Sequence, residues 1–518
     1  MRAAIVAFSV FASGLLALVL VYAYGRFGRR LHGPASSALM PERDQTELDR
    51  LAAPLLDAHR GSNGVSLISD NMSAFALRAL SARKAGRSLD LQYYYWKNDL
   101  TGRMLTREVL AAADRGVRVR LLLDDINAGL HDRMCLSLDA HPNIEVRLFN
   151  PSRARTDRFK RGFEMMLRPL RTSRRMHNKQ WIADGHLVIA GGRNIGDAYF
   201  DAAEQANFRD LDVWMLGPVA MEAATVFDRY WNSLVVLPIG SLRTPRKHYL
   251  PALRAKLERV AATQGGRHYL AHIDEAARND ALAPAEPLHW TGDARLVSDP
   301  PEKAFLQKRN NWIMRELMPV LTCAQQDVKI ISPYFIPGTQ GIAEIARLVE
   351  RRVSVAVLTN SLAATDVAAV HGAYANYRKA LLKHGITLFE LKAMHEFGDP
   401  RRISLFGSRG ASLHTKAFTV DGKTAFVGSL NFDPRSASLN TEMGVLFTHP
   451  ALVDEVEAVF EEETRPANSF RLSLENGRLR WQDSEDNKLR VLRREPEAGF
   501  MRRLTAGIIS ILPIESQL

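Results

Sequence analysis

The chain has 518 residues, 46% of them hydrophobic and 24% charged, with a formal net charge of +12. That length excludes a single small domain and allows two to four, and the composition is that of a globular protein with buried cores. The positive charge points to nucleic acid or an anionic membrane surface as partner, while the two cysteines, Cys135 and Cys323, exclude a disulfide scaffold and lack metal-ligand spacing.

Residues 3–24 carry no charged side chain and are rich in Val, Leu, Ala and Phe. A run of about 20 apolar residues spans a bilayer as a helix, so residues 1–30 are expected to form a retained, single-pass N-terminal membrane anchor. Ala23-Tyr24-Gly25 offers a small-x-small step, and a cleaved signal peptide is the rival reading, although its apolar core would run only about 7–15 residues. Arg26, Arg29 and Arg30 follow the span against Arg2 before it, which places the body on the cytoplasmic side by the positive-inside tendency.

Residues 31–59 read as a polar linker with Gly33-Pro34 and Ser36-Ser37, ending in a short helix over 47–59. A first unit follows over 60–245: a helix over 75–85, a buried strand over 88–96, a helix over 105–113 and a strand over 117–123. Strands alternating with helices imply right-handed crossovers and a largely parallel sheet covered by helices, an α/β fold. From 153 to 175 there are nine Lys or Arg against two acids, interleaved with Phe159, Phe163, Met165, Met166 and Leu167. Basic residues beside apolar ones suit the headgroup boundary of an anionic membrane.

The unit closes on His177-Asn-Lys179-Gln-Trp-Ile-Ala-Asp184, which reads H-x-K-x4-D, then Asp184-Gly185, an apolar return strand, Gly191-Gly192 and Asn194. Asp-Gly fits a tight hairpin turn. Residues two apart on a strand share a face, so His177 and Lys179 are expected side by side. Asp210 leads into a further strand.

Residues 246–300 are rich in proline and have no repeat partner, and are expected to cross between halves. The order then replays over 301–485, with a strand over 328–333, a helix over 342–350 and a strand over 353–358. His414-Thr-Lys416-Ala-Phe-Thr-Val-Asp421 follows, then Gly428-Ser429, Asn431 and Glu442. In both copies the asparagine stands 17 residues beyond the histidine, which argues for one structural unit used twice. Residues 471–481, with Asn476-Gly477, read as a hairpin, and 486–518 form a tail with Lys488, Arg490, Arg493, Arg494, Arg502 and Arg503 ahead of Ile508, Ile509, Ile511 and Leu512.

Two imidazoles and two ammonium groups without a carboxylate-rich cage suit a phosphodiester. One histidine can attack phosphorus while the other protonates the departing oxygen, a two-step covalent displacement. Lys179, Lys416 and the amides of Asn194 and Asn431, with Ser429, can hold the non-bridging oxygens through charge-assisted bonds. The lysines supply the positive charge a metal would bring, so no metal or other cofactor is expected. Asp210 and Glu442 are expected to fix the tautomer of a nearby imidazole and stabilise its charged form.

The doubled H-x-K-x4-D with downstream G-[GS]-x-N resembles the phospholipase D superfamily over roughly residues 60–480. Leu91-Gln-Tyr-Tyr-Tyr-Trp96, Gly192-Arg-Asn-Ile-Gly-Asp197, Thr359-Asn-Ser-Leu-Ala-Ala-Thr-Asp366, Asn431-Phe-Asp-Pro-Arg-Ser436 and Asn440-Thr-Glu442 are similar to bacterial cardiolipin synthases, most nearly the C-type. The resemblance implies a pseudo-twofold pair of α/β/α halves with mixed sheets and one active site at their seam. His177, Lys179, Asp184, His414, Lys416 and Asp421 would be catalytic, with His177 the nucleophile and His414 the acid. It implies transfer of a phosphatidyl group to the alcohol of a phospholipid at the inner membrane of a bacterium, from phosphatidylethanolamine or phosphatidylglycerol to phosphatidylglycerol. The two halves are too alike in their motifs for the sequence to settle which histidine attacks. The motifs equally leave hydrolysis to phosphatidate open, and a helper subunit undetermined. A phosphodiesterase acting on nucleic acid would use Tyr93 to Trp96 for stacking, but those aromatics are expected in the sheet, and no nucleic acid is expected as partner.

Overall fold

The computed structural model describes residues 32–126, 128–152, 173–204, 206–279, 288–305, 312–393, 411–485 and 488–511, together with Leu282 and positions 8, 9, 11–17 and 19. Among the described residues no helix is long and apolar enough to cross a membrane. The expected anchor at residues 1–30 lies mostly outside them, as does the basic stretch over 153–172.

The first half contributes β1 (Asn63–Ile68), β2 (Ser88–Tyr93), β3 (Arg118–Asp124), β4 (Ile144–Phe149), β5 (Gln180–Ala183), β6 (Leu187–Gly191), β7 (Asn207–Arg209), β8 (Asp212–Leu216), β9 (Val236–Pro238) and β10 (His289–Thr291). The second contributes β11 (Arg295–Ser298), β12 (Asp327–Ile331), β13 (Ser354–Asn360), β14 (Thr387–Leu391), β15 (Ala411–Leu413), β16 (Ala417–Val420), β17 (Thr424–Gly428), β18 (Met443–Phe447), β19 (Ser469–Glu475), β20 (Arg478–Glu485) and β21 (Lys488–Leu492). Apart from β7 and β15, which pair with each other, the strands form two sheets of order β10-β1-β8-β6-β5-β2-β3-β4-β9 and β11-β18-β17-β16-β12-β13-β14-β19-β20-β21. The run from β1 to β9 in the first sheet corresponds strand for strand to the run from β11 to β19 in the second. In each, three parallel strands (β2-β3-β4, β12-β13-β14) are extended by antiparallel ones.

Local sequence explains the elements. The helices Asn71–Lys84 and Leu100–Asp114 start at Asp70 and Asp99, whose carboxylates accept from Ser73 N and Gly102 N, satisfying amides that a helix start leaves open. The expected strand over 88–96 stops at Tyr93 because the chain then leaves the sheet: Lys97 N donates to Ile195 O and Ile195 N to Tyr95 O. Both Asp-Gly hairpins form as the dipeptide demands. Asp184, Gly185, Asp421 and Gly422 all have positive φ (52°, 74°, 56° and 59°), the twist that lets two adjacent strands run on without splaying.

The stretch over 246–300 is more than a crossover. Its helices Tyr249–Ala261 and Gln264–Arg278 pack on the helices of the first half, and the chain changes sheet between β10, paired with β1, and β11, paired with β18. In the tail, β21 extends the second sheet and the helix Phe500–Ile511 lies against the helix Ala368–Ala375.

One apolar core crosses the seam. Val188, Ala190, Val213 and Met215 of the first sheet cluster with Ala425, Val427, Val445 and Phe447 of the second, all fully buried. The helix Val219–Trp231 reaches β11 and the helix Pro450–Thr464 reaches β1, so each half lays a helix on the other's sheet. Apolar burial of this kind, about 25 cal/mol per Å², fixes the two halves as one body.

Candidate active site

Each histidine sits just before the strand of its hairpin, on a segment clamped by both halves. In the first, Asp124 at the end of β3 accepts from Met176 N at 2.8 Å, and His177 N donates to Thr441 O of the second half at 2.9 Å. In the second, Asn360 at the end of β13 pairs twice with Leu413, through its carbonyl and its amide, both at 2.9 Å. His414 N donates to Arg209 O of the first half at 2.8 Å. The clamps are extended by the parallel pairing of β15 with β7 and by a Met176–Thr441 bridge. Thr441 and Arg209 immediately precede Glu442 and Asp210, so the pairing that fixes each histidine also delivers a carboxylate from the opposite half.

The carboxylates are therefore exchanged. His177 Nδ1 lies 2.8 Å from Glu442 Oε2, and His414 Nδ1 lies 2.5 Å from Asp210 Oδ2. A carboxylate can only accept here, so Nδ1 carries the proton and Nε2 is left with its lone pair. Both rings and both carboxylates are buried. Lys179 and Lys416, each 1% exposed, fold back to donate to the carbonyls of His177 and His414. Lys179 also stands over the Tyr94 ring at 5.6 Å.

The surroundings of the two rings differ. Glu442 also accepts from Ser429 Oγ at 2.5 Å and, on its other oxygen, from Ser436 Oγ at 2.8 Å. Asp210 packs against Gly192, where any Cβ would overlap its carboxylate, and takes Leu211 N at 2.9 Å. Arg193, fully buried, holds the Asp210 carbonyl. The His177 ring meets Tyr94 edge-on at 5.1 Å, and the His414 ring meets Tyr199 likewise at 5.1 Å. Tyr199 Oη lies 3.4 Å from His414 Nε2 and receives Tyr95 Oη at 2.8 Å and Asn194 Nδ2 at 3.1 Å. With those two donors in place, its own hydrogen is left for the ring.

Electrostatics set the resting state. Burial above all pulls His177 down to about 4, with Lys179 and Lys416 adding to the fall and Glu442 opposing it. Burial, then Lys416, likewise lowers His414 against Asp210. Burial draws Lys179 down to about 7 and Lys416 to about 8, with Lys416 pressing on Lys179 from across the seam. Burial works against ionising Glu442 and Asp210, but the histidines and lysines outweigh it and hold both below the usual range. Two ionised carboxylates therefore orient two neutral imidazoles.

Of the expected site residues, His177, Lys179, Asn194, Asp210, His414, Lys416, Ser429, Asn431 and Glu442 line this seam or the turns that reach it. Asp184 and Asp421 do not. They lie five residues beyond the lysines, about 16 Å along an extended strand, and their carboxylates bracket the start of a neighbouring strand. Asp184 accepts from the amides of Gly86, Arg87 and Ser88, and Asp421 from those of Gln325, Gln326 and Asp327. Both are structural, in the same way in both halves. Sequence reasoning passed over Tyr94, Tyr95, Tyr199 and Ser436, although each lies in or beside a motif already singled out. Tyr94 and Tyr95 turn to the site where β2 ends.

A His371, Glu390 and Glu495 group stands apart with donor atoms close enough for a cation. Arg378 already pairs with both glutamates, at 3.0 and 2.5 Å, and Trp481 donates to Glu390, so its charge is met from within. At the seam the imidazoles are committed to carboxylates and flanked by ammoniums, a donor set with little to offer a metal.

Fold and site together define a class: duplicated α/β proteins in which two His-Lys units meet at the seam and each takes its carboxylate from the opposite half. Residues 80–231 and 317–464, one segment in each half, match the family described as cardiolipin synthase, phospholipase D-like domain, and the chain belongs to that family. It is 41% identical over 483 residues to cardiolipin synthase C of Escherichia coli (strain K12), covering 90% of this chain and 99% of that one. It is 24% identical over 440 residues to a cardiolipin synthase of Geobacillus sp. (strain WCH70), covering 82% and 72%. The crystal structure of phosphatidylserine synthase from Haemophilus influenzae Rd KW20 superposes with a TM-score of 0.57 at 14% identity, over 89% of this chain and 96% of that one, and shares the fold.

Proposed function

We propose that this protein is a phosphatidyltransferase that makes cardiolipin, with phosphatidylglycerol as acceptor and phosphatidylethanolamine or phosphatidylglycerol as donor. The observation that carries the reading is the exchange of carboxylates, which brings a His–Glu and a His–Asp pair from opposite halves to one seam. His177 Nε2 attacks phosphorus, the bond to the donor's headgroup alcohol breaks, and His414 supplies the proton that alcohol takes away. The acceptor hydroxyl then gives its proton to His414 and attacks the phosphohistidine, which restores neutral His177. A phosphodiester brings negative charge beside Lys179 and Lys416, relieves their effect on His414 and lets that ring hold a proton against Asp210. The Tyr199 hydroxyl facing His414 Nε2 favours His414 as the proton-transfer ring and His177, whose Nε2 has no partner among the described residues, as nucleophile. Asn194, Ser429 and Asn431 help to seat the phosphate.

Residues 1–30 anchor the protein in the bacterial inner membrane, with the body on the cytoplasmic side. The uncharged run over 3–24 supports this, as does the exposure of Phe8, Phe11, Leu15, Leu16 and Val19 on its described helical turns.

The test uses the full-length protein in EDTA with labelled phosphatidylethanolamine and phosphatidylglycerol, singly and together, and separates the lipid products. Cardiolipin is expected as main product when both lipids are present, and from phosphatidylglycerol alone where that lipid is also the donor. Phosphatidate as main product from either lipid alone would replace transfer by hydrolysis, and turnover of neither would remove the reading.

A further inference from the structure

Between the helices Ile313–Thr322 and Gly338–Glu350 and the faces of β12 and β13 lies a cavity of about 230 Å³. Its walls are apolar, chiefly Met318, Leu321, Ile330, Ile345, Leu348 and Val355, and its inner end is formed by Asn431, Phe432 and Asp433 on the turn that follows Ser429. Ser429 is the residue whose hydroxyl and carbonyl touch Glu442 and His177, so the turn that lines this end of the cavity begins two residues beyond a contact of His177. The corresponding place in the first half is filled. There the helices Asn71–Lys84 and Leu100–Asp114 pack directly on each other under the helices Tyr249–Ala261 and Gln264–Arg278, with Phe75, Met104 and Leu105 fully buried between them.

Two observations separate this space from a packing defect. The cavity is partly open to solvent and almost wholly apolar in lining, so water within it has few partners and an apolar guest that displaces it is favoured. At its inner end Asn431, 5% exposed, has a buried Oδ1 with no hydrogen-bond partner among the described residues. Buried polar atoms are otherwise paired, and a half-turn of the amide would present a donor in the same place.

We propose that this cavity takes one acyl chain of a glycerophospholipid whose phosphate lies between His177 and His414, with the Asn431 amide standing between the ester end of that chain and the phosphate it helps to seat. The proposal rests on the phospholipid reading above. Acyl selection is then a property of the second half: the methylenes leave water for an apolar lining, and the chain's direction sets which side of the phosphate faces His177. A headgroup or a free phosphate diester has nothing to place there.

The test uses full-length protein in vesicles containing phosphatidylglycerol with a diazirine at the acyl terminus, followed by mapping of the photolabelled peptides. Label on the helices Ile313–Thr322 and Gly338–Glu350, lost when Ile345→Trp fills the cavity, is expected. In Ile345→Trp and, independently, Met318→Trp, the ratio of kcat/KM for dioleoyl over dihexanoyl phosphatidylglycerol should fall about tenfold or more, as each buried methylene contributes to binding. Label confined to other segments, or a ratio within twofold of wild type in both variants, overturns the proposal. The photolabelling of the unsubstituted protein decides the matter even where a tryptophan variant fails to fold. A wild-type protein that labels on these helices but turns over neither lipid would keep the cavity as an acyl site and sink the transferase reading.

Discussion

His177 and His414 are set by matching parts, yet what each ring meets differs. Glu442 behind His177 is held on both oxygens by serine hydroxyls, while Asp210 behind His414 leans on a glycine that leaves room for it and on a neighbouring amide. Beyond the rings, Tyr199 addresses His414, and the helices Ile313–Thr322 and Gly338–Glu350 of the second half part around the apolar cavity described above. Where the halves must close on each other the duplication is kept: exchanged carboxylates, Asp-Gly turns, Asp184 and Asp421 as brackets. Around the two imidazoles they diverge. Symmetry here serves construction, and the asymmetry lies where the proposed reaction would divide its roles.

That division can be broken most severely at the rings themselves. His177→Ala or His414→Ala should each lower turnover by about 10⁵-fold or more, since groups acting as a unit fail together. Only His414→Ala should accumulate phosphorylated enzyme from labelled lipid, and a phosphoenzyme in His177→Ala instead would reverse the assignment. Next, Glu442→Gln and Asp210→Asn should each reduce kcat by about 10⁴-fold with the fold intact, because an amide orients the imidazole in the wrong tautomer. A loss in one and not the other, read by steady-state kinetics, would show that one histidine works without its partner from across the seam.

Lys179→Ala or Lys416→Ala should cost on the order of 3 kcal/mol of transition-state stabilisation, roughly a hundredfold in kcat/KM, with an unchanged circular dichroism spectrum. Near-wild-type turnover in either would remove that lysine from the site. The pH profile follows from the same groups. Burial and Lys416 hold His414, the proposed acid, below its ordinary value in the free enzyme, so kcat/KM should already fall by about tenfold per pH unit above that value, and more steeply near 7 to 8, where Lys179 and Lys416 lose their charge. With His177 drawn down to about 4, the nucleophile stays unprotonated until that pH, and the acid limb should lie near it rather than near 6.5. Smallest on activity are the brackets: Asp184→Ala should leave kcat/KM within twofold while removing about 3 kcal/mol of stability, and Asp421→Ala, at a partly exposed position, about 1 kcal/mol. Urea unfolding measures both.

The halves, the hairpins and the His-Lys pairs are legible in the sequence because spacing and Asp-Gly chemistry are local. The exchange of Glu442 and Asp210 is not, since it depends on how residues 265 and 204 positions apart meet when the sheets close. The same conserved-looking spacing that marks the octet made Asp184 and Asp421 resemble site residues, although a strand's length carries them to its far end. The helices Tyr249–Ala261 and Gln264–Arg278 hid within a proline-rich stretch without a repeat partner, where only packing on the first half declares them. Tyr94 and Tyr95 read as strand because β-propensity does not register that the chain leaves the sheet after Tyr93.

A single half of this molecule would hold an imidazole lacking its acid and an acid lacking its imidazole. A chain of that length could complete its site only as a pair of identical copies, each lending the other its carboxylate. A chain that holds both halves needs no mate, and a substitution in one half leaves the other as it was.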